Sequence, residues 1–98
     1  MTARVLEQAY AELAGAGASM RCVALGKLLE NLGFEVRDGK RGGHKIFVHD
    51  GIPGFTSGAY NCDHGRNPEI KRPYINKVLK ILKQYEAELT RYLEEQHD

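Results

Sequence analysis

The chain has 98 residues, 42% of them hydrophobic and 28% charged, which supports one modest core and not two, so a single domain over residues 1–98 is expected. No apolar run is long enough to span a bilayer and no basic start precedes an apolar block, so neither a membrane partner nor a secretion signal is expected, and the expected compartment is the cytoplasm. The net charge of +1 conceals a division: residues 37–83 hold ten Lys/Arg against four Asp/Glu, and the flanks hold four against nine, so the basic middle can either attract a polyanion or form a solvated charged face.

Residues 2–15 place Val5, Leu6, Ala9, Tyr10 and Leu13 on one stripe, the pattern of a short amphipathic helix that the following "GAGAS" ends. A second helix is expected over 20–34, with Cys22, Leu25, Leu28, Leu29 and Leu32 on one face and Gly33 as the left-handed stop. Short strands follow at 34–37, 44–49 and 59–62. "DGKRGG" joins the first two as an irregular hairpin with a basic tip, and "DGIPGFTSG" is a surface loop. "DHGRNPEIKRP" then leads into a final helix expected over 73–96, with Pro73 in its first turn.

At roughly 1.5 Å per residue that final helix would reach about 35 Å. Ile75, Val78, Leu79, Leu82 and Leu89 form its core face, with Lys77 and Lys80 opposite. A second flank of Tyr74, Ile81, Tyr85 and Tyr92 calls for cover by the N-terminal helix or by another chain. The expected class is α+β: a three-stranded antiparallel sheet with helices on one face. Its α-β-β-β-α part has the arrangement of double-stranded-RNA-binding domains, preceded by an additional helix.

Cys22 and Cys62 stand forty positions apart without C-x-x-C spacing and are expected as two buried thiols. Cys62, His64, His44 and His49 could be combined into a zinc set, but structural zinc sites use tightly spaced ligand pairs, so no metal is expected. His49 and His64 border strands beside Asp50 and Asp63, and His97 lies in a tail expected to fray. His44 differs from all of these. In "GKRGGHKIFVHD", residues 39–50, it stands where glycine gives way to a β-branched, apolar run.

Metal-free RNA cleavage needs one group to take the 2′-hydroxyl proton, another to protonate the leaving oxygen, and positive charge on the phosphate. An imidazole can do either proton task near neutral pH. Gly42 and Gly43 leave room for a phosphate, and Lys40, Arg41 and Lys45 lie within a few residues to meet its charge. The plainer reading is a histidine that begins a strand and bonds to its neighbours.

"LGKLLENLGFEVRDGKRGGHKIFVHDGI" followed by "KRPYINKVLKILKQYE" resembles the HicA toxins of bacterial HicAB toxin-antitoxin pairs. That family shows a leucine-rich helix ending in L-G-F, a G-S-H-x-[IV]-[FY] strand start and a final helix often opened by K-P-Y. The matching points are Leu32-Gly33-Phe34, Gly42-Gly43-His44 and Arg72-Pro73-Tyr74. The resemblance covers residues 20–85, leaving 1–19 as a helical extension and 86–98 as an extension of the last helix.

The resemblance implies a ribosome-independent endoribonuclease that cleaves mRNA and halts growth, together with a HicB-type antitoxin that covers its active site. No cofactor is expected. The family's catalytic histidine falls on His44, as general base or acid. Lys40, Arg41, Gly42, Gly43 and Lys45, with Lys71, Arg72 and Lys77 at the start of the last helix, are the candidate RNA contacts.

Strand alternation sends His44, Ile46 and Val48 to one face and Lys45, Phe47 and His49 to the other. The assisting cation is thus open between Lys45 and the loop residues Lys40 and Arg41. Gly43 replaces the family serine, and the apolar faces of the two extensions suggest added packing or self-association. The alternative function is a domain of the same fold that binds RNA without cutting it, and a third reading is a regulatory protein whose basic face receives an acidic partner.

Overall fold

The computed structural model describes residues 3–96; His97 of the expected tail lies outside the described residues. The chain runs α1 (Arg4–Ala14), β1 (Ser19–Arg21), α2 (Cys22–Asn31), β2 (Glu35–Asp38), β3 (His44–Val48), β4 (Gly58–Asn61), β5 (Glu69–Lys71), α3 (Arg72–Gln84) and α4 (Glu86–Glu95). Strands β2, β3 and β4 form an antiparallel sheet in that order. The expected α+β class holds, with helix α2, the three-stranded sheet and helix α3 in the predicted sequence.

The sheet divides its side chains by alternation. Val36 pairs across from Phe47, and Lys45 from Tyr60, so these residues share one face. Phe47 and Tyr60 are fully buried with Leu25, Leu29, Ile75 and Val78 in one continuous core. The stripe read in α1 is also buried, with Leu6, Ala9 and Leu13 inside. The opposite sheet face carries His44, Ile46, Ala59 and Asn61, each exposed or half-buried.

Gly33 ends α2 with φ +94°, the left-handed stop that its sequence position implies. Beyond it, His49 is buried and its ring bridges two backbone groups. Nε2 lies 2.9 Å from the Leu32 carbonyl, and Nδ1 accepts the Gly51 N–H at 3.0 Å. A neutral ring satisfies both partners. Phe34 and Tyr92 flank it edge-on, with centroids at 4.7 and 4.5 Å. The histidine at this end of the strand is therefore a core brace.

The structure corrects the sequence reading in four places. The expected 73–96 helix is two helices, α3 and α4, interrupted at Tyr85 (φ −106°, ψ 22°). The Tyr85 ring packs on Phe55 at 5.2 Å, so the loop 50–57, and not only α1, covers that flank. The apolar stripe continues across the break with Leu89 and Leu93, which is why periodicity alone joins the two helices. Apart from Val23, no large hydrophobic side chain among the described residues is exposed, so internal packing accounts for the apolar faces of α1 and α4.

Second, α2 begins at Cys22 and not at residue 20, because the preceding residues form β1. Third, β1 and β5 make a two-stranded antiparallel sheet pairing Ser19 with Lys71 and Arg21 with Glu69. Three-residue strands fifty positions apart leave no periodic signal. This small ladder brings together the starts of α2 and α3: Cys22 N–H donates to the Pro68 carbonyl at 3.0 Å, and Arg72 N–H to the Ala18 carbonyl at 2.8 Å. Arg72 adds a side-chain tie, with Nε donating to the Gly17 carbonyl at 2.6 Å and Nη1 to the Leu13 carbonyl at 2.9 Å. Its guanidinium thus satisfies carbonyls at the end of α1.

Fourth, Cys22 and Cys62 are joined as a disulfide with Cα atoms 5.9 Å apart, not two separate thiols. The ladder places the first residue of α2 beside the end of β4, a proximity that spacing in the chain cannot show.

The junction of β3 and β4 extends past the strands. Cys62 N–H donates to the Gly43 carbonyl at 2.7 Å. Gly43 has φ +83°, and a Cβ there would stand 2.5 Å from the Cys62 carbonyl oxygen. Glycine at 43 is consequently a backbone requirement of this chain. Gly42 is different: a Cβ there meets only His64 Cε1, at 3.7 Å.

Two outcomes follow for stability. Gly43→Ser, which restores the family residue, should cost about 2 to 3 kcal/mol in urea unfolding, whereas Gly42→Ser should change stability by less than about 0.5 kcal/mol. Equal tolerance at both positions would contradict the close approach to Cys62. Alkali provides the second test. Burial, aided by the charges of Glu30 and Asp38, pushes the Tyr60 phenol up to about 12, and burial with the Glu86 hydrogen bond also raises Tyr10. In the unfolded chain phenols ionise near about 10, so above that pH the folded chain holds more protons than the unfolded one. Stability should therefore be full below about pH 10 and fall as pH rises toward 12, with a shallower fall in Tyr60→Phe.

Candidate active site

Five residues, 39–43, connect β2 to β3. The turn is closed by Gly39 N–H donating to the His44 carbonyl at 2.8 Å and His44 N–H donating to the Arg41 carbonyl at 3.1 Å. These bonds fix the backbone on both sides of His44. Its side chain emerges on the face opposite Phe47, as the alternation predicts; that face lies away from the core, and His44 is half-buried on it.

The β3–β4 register sets His44 directly across from Asn61. His44 Nδ1 and Asn61 Oδ1 are 2.8 Å apart, and Asn61 Nδ2 donates to the Tyr74 hydroxyl at 2.9 Å. Tyr74 belongs to the first turn of α3, which the β1–β5 ladder delivers to this end of the sheet. On its other side the imidazole lies so close to Gly39 that a Cβ there would overlap ring carbon Cδ2.

A cleft of about 700 Å³ opens over the ring. Lys40, Arg41 and Gly42 line it from the loop, His44 and Ile46 from β3, and Asn61, Cys62 and His64 from the end of β4. Lys40 and Arg41 are exposed and make no ion pair among the described residues. The cleft therefore presents two cations, the imidazoles of His44 and His64, and a backbone segment bare of side chains at Gly42. This combination suits a phosphodiester.

The other sequence candidates fall elsewhere. Lys45 is on the α2 side of the sheet, paired with Asp38, and lines a different cleft with Val23, Lys27 and Glu30. Gly43 lines that second cleft as well. Lys71 pairs with Asp63 at 3.2 Å, and the Arg72 guanidinium is bonded to the end of α1. Lys77 does not line the cleft; its Nζ stands 5.9 Å from the centre of the Tyr74 ring.

Asn61 and Gly39 stand out in no sequence pattern, and His64 enters the sequence reading only beside Asp63 and in the zinc set. A lone Asn in a strand carries no signal until the register is known. Tyr74 stands in the Arg72-Pro73-Tyr74 motif, but its periodicity places it on an apolar flank. The zinc set considered above is divided by the fold: His49 is bound in the core on the opposite face from His44, and Cys62 is joined to Cys22.

Residues 25–86 match the family model described as HicA toxin of bacterial toxin-antitoxin. No curated protein and no solved structure matches the chain. The matched segment takes in most of α2, the whole three-stranded sheet, the loop with His44, and Asn61 and Tyr74. With well over half of its length inside that match, the chain belongs to the HicA toxin family of bacterial toxin-antitoxin systems.

Proposed function

We propose that this toxin is a metal-independent endoribonuclease that cleaves mRNA in the cytoplasm, with His44 as its proton-transfer residue. The observation that carries the reading is the position of the imidazole: half-buried on the uncovered sheet face, with Lys40 and Arg41 in the same cleft. The loop cations hold the scissile phosphate and offset its growing charge, and the imidazole exchanges a proton with a reacting oxygen. Gly42 lets the RNA backbone approach, and Lys77 extends the basic surface beside Tyr74. Lys71 and Arg72, whose charges meet Asp63 and the end of α1, contribute chiefly by holding the fold around the site.

A HicB-type antitoxin neutralises the toxin by covering this face. Its approach is favoured by acidic groups opposite Lys40 and Arg41, the charge pattern that also attracts RNA. Internal burial of the α1 and α4 faces favours packing over self-association as the role of the two extensions.

Purified His44→Ala should lose cleavage of a defined RNA by a factor of about 100 to 10,000 while keeping its fold and its antitoxin. EDTA should leave the products of the unaltered protein unchanged. A folded His44→Ala protein that cuts at the original rate removes His44 from the chemistry. Intact RNA with tight binding by the unaltered protein would instead support an RNA-binding domain that does not cut.

A further inference from the structure

The geometry points to Asn61 and Tyr74 as positioning residues that hold His44 in one tautomer and make it the base of the reaction. This rests on the reading of His44 as the proton-transfer residue and adds which nitrogen reacts. Asn61 Oδ1 is an acceptor with no proton of its own, so a nitrogen 2.8 Å away must supply the hydrogen, and Nδ1 carries it in the neutral ring. The amide is engaged at its other end as well. Its Nδ2 donates to the Tyr74 hydroxyl at 2.9 Å, so reversing the amide would require both bonds to change sense together.

With Nδ1 protonated, Nε2 is left with a lone pair. Gly39 lies against the adjoining Cδ2 edge and restrains the ring's tilt. Lys40 and Arg41 stand in the same cleft for the phosphate. The step balances simply. The 2′-hydroxyl proton passes to Nε2, the 2′-oxygen bonds to phosphorus, and the bond from phosphorus to the 5′-oxygen breaks. That oxygen takes a proton from a water, and the hydroxide left behind recovers the proton from the imidazolium, restoring the neutral ring. Until then the imidazolium keeps its Nδ1–H bond to Asn61, so the same amide favours the charged ring after transfer.

Nothing about RNA is needed for the first measurement. Nitrogen-15 shifts of the His44 ring in the intact, neutral protein should report protonation at Nδ1. In Asn61→Leu they should move toward the Nε2-protonated form that isolated histidine prefers. Asn61 is exposed, so this variant is expected to fold, and amide spectra will show whether it has.

Cleavage by Asn61→Leu should fall by a factor of about 10 to 100, and Tyr74→Phe should give a smaller loss. Asn61→Asp should restore most of the rate, with the acid limb of its pH profile moved upward, because a carboxylate favours the imidazolium. An Nε2-protonated ring in the unaltered protein overturns the assignment, as does an Asn61→Leu variant with unchanged tautomer and rate. Full cleavage by His44→Ala overturns the underlying reading instead, so the two failures are distinguishable.

Discussion

The backbone contact between Gly43 and Cys62 governs what lies around it. With φ at +83° and the Cys62 carbonyl where a side chain would begin, the chain passes from the basic loop into β3 at a distance only glycine permits. The bond from Cys62 N–H to the Gly43 carbonyl then continues the β3–β4 ladder and fixes its register. His44 faces Asn61 because of that register. A slip of one residue would turn the imidazole toward the core and put Lys45 on the open face.

The two faces of the sheet consequently have different tasks. Phe47, Tyr60 and the α2 leucines form the core, and His49 braces the far end of the same strand with both ring nitrogens bonded. His44, five residues earlier, has Nδ1 bonded to Asn61 and lines the open cleft. The two histidines share a strand's end regions and a residue type, yet alternation alone makes one a core brace and the other a candidate for chemistry.

Much of this was legible in the sequence because its cause is local. The stripes of α1 and α2, the stop at Gly33 and the division of His44 from Lys45 and Phe47 across β3 follow from period and backbone preference, whereas which of those two faces meets the core does not. The interruption at Tyr85 did not, since the apolar stripe runs through it and neither Gly nor Pro marks it. The β1–β5 ladder, the joining of Cys22 to Cys62 and the meeting of Asn61 with His44 and Tyr74 each depend on residues far apart in the chain. Arg72 illustrates the same limit: a basic residue in a family motif suggested RNA, and only the packing of α1 reveals the carbonyls it satisfies.

The small ladder also explains why α3 begins where it does. By tying the start of α3 to that of α2, it brings Tyr74 within reach of Asn61, so a device outside the main sheet completes the arrangement at the open face. The most direct test of that face as the RNA site is an NMR titration of the intact protein with RNA oligonucleotides made uncleavable by 2′-deoxy substitution. Resonances of the His44 ring, the Asn61 side chain and the 39–43 loop should shift together while the His49 ring stays unmoved. Shifts concentrated on α1 and α4, with His44 silent, would contradict the account.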